Sequence, residues 1–138
     1  MLDALASDGI AIGMVTSKGR NLPRVNDLGG GAWHEMRELG ILDHFPVIVG
    51  FEDVERTKPD PAGLLLAMQR IGVAPNQAIY VGDAPADIAA ARAAGMASCW
   101  ATWGTQHLGE LTPSPDFTIA APGELLGIVT DRELPVVF

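Results

Sequence analysis

The chain has 138 residues, 48% of them hydrophobic, one cysteine and a formal charge of −8. That length is one domain with room for a real core, and the acidity argues against nucleic-acid and anionic-membrane partners, since the nine Lys and Arg residues form no basic stripe. No apolar run approaches the ~20 residues that span a bilayer, and Met1 to Gly9 has two aspartates and no basic n-region of a secretory signal.

The lone Cys99 rules out an internal disulfide framework, and its apolar neighbours point to a buried thiol rather than a nucleophile. These features predict one soluble, cytoplasmic domain over residues 1–138.

Leu2, Leu5 and Ala6 share a helical face, and Asp8-Gly9 ends that short helix. Ile10 to Val15 is apolar without alternation, as a parallel strand covered on both faces should be. It runs into Thr16-Ser17-Lys18-Gly19, which is either an ordinary polar turn or a place where a hydroxyl and backbone N–H groups hold a phosphate oxygen. A glycine-rich loop over 21–31 follows, then a helix over about 32–39 closed by Gly40. His34 and His44 have no ligand partners at zinc-site spacing and are expected to be surface or packing residues. Phe45 to Gly50 forms a second strand, and Glu52, Asp53 and Glu55 are expected to be solvated.

In Thr57-Lys58-Pro59-Asp60-Pro61 two prolines stiffen the backbone around Asp60, which can cap the helix that opens at Pro61. Lys58 is therefore held rigidly: either an exposed loop lysine or an ammonium aimed at a phosphate or carboxylate. Leu64, Leu65, Met68 and Ile71 give that helix its apolar stripe, and Gly72 ends it.

The strand Ala78 to Val81 then stops at Gly82-Asp83, with Asp87 four residues on and an alanine-rich helix behind. A strand ending in Gly-Asp sets a carboxylate at the C-terminal edge of a sheet, where ligands bind in open α/β folds. Two such oxygens suit Mg²⁺; they equally suit a helix N-terminus. Residues 96–101 make a fourth strand, with Trp100 and Trp103 in packing roles. No role is assigned to His107. Residues 117–120 suggest an edge strand, 122–129 a last helix, and 134–138 a final strand with Pro135 at its start.

Strands alternating with helices at this pitch predict a three-layer, doubly wound parallel α/β sheet with a Rossmann-like core. With strand-Thr16-Ser17-Lys18, Lys58-Pro59-Asp60-Pro61 and Gly82-Asp83-x-x-x-Asp87 in that order, the chain resembles the haloacid dehalogenase (HAD) superfamily, most closely its phosphoglycolate-phosphatase-like branch. The likeness runs from Leu2 to about Val129.

It implies that Thr16 and the Ser17 backbone bind the transferring phosphoryl group, that Lys58 stabilises its charge, and that Asp83 and Asp87 hold Mg²⁺, Asp87 directly or through water. These are the positioning and charge-neutralising parts that phosphoryl transfer uses.

One departure is decisive. Family members begin with a strand leading into Asp-x-Asp-x-Thr, whose first aspartate is the nucleophile, and this chain has no Asp-x-Asp anywhere. The usual first strand, the nucleophile and any cap domain are missing from it, so Mg²⁺ binding is expected to be weak. That strand lies mid-sheet in the family, so its loss opens a central slot. Residues 134–138 are the expected filler, within one chain or swapped in a homodimer. Two functions stay open: a hydrolase core related to Mg²⁺-dependent phosphatases of small phosphate esters, inactive alone, or a non-catalytic binding or interaction module.

Overall fold

The computed structural model describes residues 1–20, 30–104 and 111–138. Residues 21–29 of the glycine-rich loop expected over 21–31, and His107, lie outside them; Gly30 and Gly31, expected in that loop, cap and open a helix instead. In chain order the elements are α1 (Leu2–Ser7), β1 (Ala11–Val15), α2 (Gly31–Glu38), β2 (Val47–Val49), α3 (Ala62–Ile71), β3 (Ala78–Gly82), α4 (Pro85–Ala94), β4 (Ala97–Ala101), β5 (Phe117–Ile119), α5 (Glu124–Asp131) and β6 (Val136–Val137). Every strand pairing is parallel, and the sheet order is β2-β1-β6-β3-β4-β5.

Two apolar layers cover the sheet. Leu64, Ala67 and Met68 of α3 and Ala90, Ala91 and Ala94 of α4 bury one face together with Val136 and Phe138. Leu5 of α1 and Leu125 and Val129 of α5 bury the other with Ile12, Ile79 and Val137. The alanines let α4 lie close on β3 and β4, and exposed Arg92 points away. On α1 the buried residue is Leu5 alone; Ala6, expected beside it, is exposed because the six-residue helix presents only one turn to the sheet.

The last strand stands in the centre of the sheet, inserted by the same chain. Val136 pairs with Ala11 on one side and Ala78 on the other, and Val137 with Ile12 and Ile79. The Ala11 N–H donates to Pro135 O at 2.8 Å, Phe138 N–H to Ile79 O at 2.9 Å, and Val81 N–H to Phe138 O at 2.7 Å. Pro135 falls at the strand's start and contributes only its carbonyl, as its missing N–H requires. Val136, Val137 and Phe138 are all buried. The Phe138 ring lies over Gly13, where a Cβ would overlap it, so the bare backbone of β1 is what admits the ring.

The acidic patch after β2 is not simply solvated. Asp53 forms ion pairs with Arg20 and Arg70, each at 3.2 Å, and Glu52 accepts the Arg20 N–H at 2.8 Å. Burial works to raise the Asp53 pKa, but the Gly50 N–H and the two guanidinium groups outweigh it and hold the carboxyl below its ordinary value. The sequence hid this because Arg20 and Arg70 are far away along the chain and meet Asp53 only once α3 packs beside β2.

Candidate functional site

β1 and β3 end at the same edge of the sheet, and their following turns carry Thr16-Ser17 and Asp83. The chain winds from β1 outward to β2 and from β3 outward to β4, so this edge is a topological switch point, where open α/β sheets bind ligands. Thr16 Oγ1 accepts the Lys18 N–H at 3.1 Å, closing a hydroxyl turn just past the strand. Thr16, Ser17, Gly50, Thr57 and Lys58 line one hollow of ≈ 10 Å³, on the scale of a single water centre.

Lys58 reaches this hollow from the segment ahead of α3, whose first turn is capped by Asp60: the Ala62 N–H donates to Asp60 Oδ1 at 3.0 Å. The Lys58 side chain is only 15% exposed. Its ammonium donates to Asp87 Oδ1 at 2.6 Å and to the Tyr80 hydroxyl at 2.8 Å, and that hydroxyl in turn donates to Val15 O at 3.0 Å. Burial and then the Asp87 charge push the Tyr80 pKa well above its ordinary value, which keeps the phenol a donor. Lys58 is thus a fixed, nearly dry cation with one counter-charge.

The two aspartates after β3 are in different situations. Asp87 is buried, and both of its oxygens are engaged. Oδ2 accepts the Ala84 N–H at 2.9 Å and the Asp83 N–H at 3.1 Å, capping α4 from its third position, while Oδ1 holds Lys58. The Asp83 carboxylate is half-buried and has no hydrogen-bond or ion-pair partner among the described residues. Gly104, after β4, lies so close that a Cβ there would overlap Asp83 Oδ2. Among the described residues Asp83 is therefore approached by the bare backbone of Gly104 and left with its acceptor capacity unspent.

Of the sequence-predicted residues, Thr16, Ser17 and Lys58 meet around one hollow, and Asp87 is bonded to Lys58. Asp83 shares the edge through its backbone link to Asp87. No group of three His, Cys, Asp or Glu residues that could hold a metal ion occurs among the described residues. A Mg²⁺ ion commonly takes only one or two carboxylates, with water and substrate phosphate completing its shell, and Asp83 fits that requirement.

Sequence reasoning missed two participants. Tyr80 could have been found by alternation: it is two residues from Gly82 on β3 and so faces the α3 side from which Lys58 comes. Gly104 left no readable signal, because its role is to have no side chain near a residue 21 positions away.

His34 pairs with Glu38 at 2.9 Å and His44 with Asp3 at 3.2 Å. Cys99 is fully buried, and burial first and Glu124 second raise its thiol pKa to about 11. No helix among the described residues is long and apolar enough to cross a membrane.

Comparison with known proteins gives a consistent picture. The family model described as haloacid dehalogenase-like hydrolase matches residues 1–101. The phosphoglycolate phosphatase of Escherichia coli (strain K12) is 41% identical over 106 residues, which is 77% of this chain and 38% of that protein. Its counterpart in Salmonella typhi is 40% identical over the same span.

Among solved structures, a predicted phosphoglycolate phosphatase from Haemophilus somnus 129pt superposes with a TM-score of 0.77 at 27% identity, covering 93% of this chain and 53% of that one. A HAD phosphatase from Thermococcus onnurineus gives 0.74 at 28%, covering 93% and 54%. The chain thus spans well under half the length of the curated relatives it matches.

Proposed function

Since the chain belongs to the haloacid dehalogenase-like hydrolases, in their phosphoglycolate-phosphatase-like branch, we propose that its switch-point edge is the phosphate- and Mg²⁺-binding part of a phosphatase-type site for small phosphate esters. The observation that carries this is the largely buried Lys58 ammonium, on a side chain 15% exposed and fixed by Asp87 and Tyr80 at the rim of a hollow that Thr16 and Ser17 also line.

In this reading the Thr16 hydroxyl and the Ser17 N–H bind phosphoryl oxygens, and Lys58 offsets their negative charge in a site where little water screens it. Asp87 does not accept a ligand; it holds Lys58 in place and ties down the turn that presents Asp83. Asp83 is the residue that would hold Mg²⁺, and the ion, when bound, would neutralise charge on the phosphoryl oxygens. Asp87 contributes to that ion at most through a water, because its oxygens are already bonded.

Among the described residues no further carboxylate is placed beside these groups as a nucleophile, so this reading gives the described edge phosphate binding with negligible hydrolysis by itself. A second reading, a non-catalytic module that keeps the fold to bind phosphate or a partner, is favoured by the absence of any Asp-x-Asp. β6 fills the central position from its own chain, so a homodimer would require exchange of β6 between copies, and the acidic charge with one buried cysteine favours a cytoplasmic setting.

Titration calorimetry with Mg²⁺ and inorganic phosphate tests the site: we expect phosphate binding that needs Mg²⁺ and is lost in Asp83→Ala and Lys58→Ala. Binding indifferent to both substitutions would refute the assignment. Hydrolysis of p-nitrophenyl phosphate that disappears in the same two variants would favour an active hydrolase over the module.

A further inference from the structure

Tyr80 joins two parts of the candidate edge that lie far apart along the chain. Its side chain is buried in β3, and its hydroxyl touches both Val15, the residue ahead of Thr16, and Lys58. The first contact spans 65 positions and the second 22. One phenol thus connects the end of β1 to the segment that carries the lysine.

The number of protons fixes the direction of each bond. A phenol has a single O–H. Val15 O at 3.0 Å takes it in preference to Asp87 Oδ1 at 3.4 Å, so toward Lys58 the oxygen can only accept. The ammonium has three N–H donors. One goes to Asp87 Oδ1 at 2.6 Å and one to the Tyr80 oxygen at 2.8 Å, and the third has its direction set by the tetrahedral nitrogen once the other two are held. The ring face is not the contact. Lys58 Nζ is 5.3 Å from the ring centroid against 2.8 Å from the hydroxyl oxygen, which places the ammonium off the hydroxyl end. Removing that oxygen alone therefore removes the hold.

We infer that Tyr80 is a positioning residue for phosphate: its hydroxyl, anchored on Val15 O, turns the third N–H of Lys58 into the hollow shared with Thr16 and Ser17. This rests on the reading of Lys58 as the cation that meets phosphate. With Asp87 as its single partner the ammonium would be free to rotate about one bond. Thr16 Oγ1 already accepts the Lys18 N–H, so what it has left to give an oxyanion is its proton. Because Tyr80 is anchored on the carbonyl next to Thr16, that hydroxyl and the Lys58 N–H become two donors on one frame.

Lys18 and Lys58 are the two lysines of the chain, so lysine labelled with ¹⁵N at Nζ gives two ammonium signals by NMR, with exposed Lys18 as the internal reference. In the full chain at mildly acidic pH we expect the Lys58 ammonium protons to exchange with water at least about tenfold more slowly than those of Lys18. Tyr80→Phe should bring the two rates together and weaken binding of inorganic phosphate, by calorimetry in Mg²⁺, about three- to tenfold, as the loss of one hydrogen bond would. Phosphate affinity unchanged in Tyr80→Phe but lost in Lys58→Ala would overturn the role of Tyr80 and leave Lys58 standing, whereas binding indifferent to Lys58→Ala would overturn both. Weaker binding in Tyr80→Phe with an unaltered Lys58 signal would mark a purely structural loss and overturn the proposal. The original chain supplies a readout that needs no variant: Lys58 protons exchanging as fast as those of Lys18 would overturn it outright.

Discussion

Replacing Asp87 and Asp83 separately should produce opposite signatures. Asp87→Ala removes the acceptor for the Asp83 and Ala84 N–H groups and strips Lys58 of its counter-charge. Each lost backbone bond is worth about 1 kcal/mol, and breaking a buried ion pair by deleting one partner costs about 3–5 kcal/mol. The contributions share one side chain and do not add, so about 3–5 kcal/mol in all is the expectation.

Asp83→Ala removes a carboxylate with no partner among the described residues, and its expected cost is within about 0.5 kcal/mol. Urea unfolding followed by circular dichroism separates them. With m near 1–3 kcal/mol/M, the midpoint of the first variant should fall by roughly 1–5 M while the second stays close to the parent. Comparable losses in the two variants, or a loss below about 1 kcal/mol for Asp87→Ala, would refute the division of labour between a structural and a ligand-holding aspartate.

Three further outcomes follow from the packing. Val136→Ala deletes two carbons at a position 1% exposed in the middle of the sheet; at about 0.8 kcal/mol per carbon plus a cavity contribution it should cost about 2–3 kcal/mol by urea unfolding, whereas Leu65→Ala, at a half-exposed site, should cost far less. Cys99, with its thiol at about 11 and fully buried, should resist a thiol-specific disulfide reagent at pH 8 and react promptly in urea; fast labelling of the folded chain would contradict its burial. Asp53, with its folded pKa lowered from 3.8, adds stability that is complete above the unfolded value and disappears as pH falls through the folded one. The advantage of the parent over Asp53→Asn should accordingly be full at pH 6 and gone well below pH 3.8, and an advantage that grows on acidification would show the sign to be wrong.

Much of this molecule is readable from local pattern. The apolar runs ending at Thr16 and at Gly82-Asp83 gave strands and an edge because buried parallel strands lack alternation and carry their polar residues at the end. Pro135 followed by Val136, Val137 and Phe138 marked a strand, while its central place was expected only from the resemblance to a family whose first strand lies mid-sheet.

What stayed hidden depends on tertiary contact. Whether Asp87 caps a helix or serves the site could not be decided along the chain; it caps α4 with one oxygen and holds Lys58 with the other, a bond spanning 29 residues. The Arg20 and Arg70 pairing that takes Asp53 out of solvent, and the approach of Gly104 to Asp83, likewise exist only after folding.

The last strand of the chain stands in the centre of the sheet, between the two strands that carry the site. The amide of Phe138, which donates to Ile79 O at 2.9 Å, reports this directly by native-state hydrogen exchange. It should exchange only through global unfolding, with the same opening free energy as the amide of Val81. Exchange of both amides on the timescale of a frayed terminus would contradict it, since the Val81 N–H donates to Phe138 O.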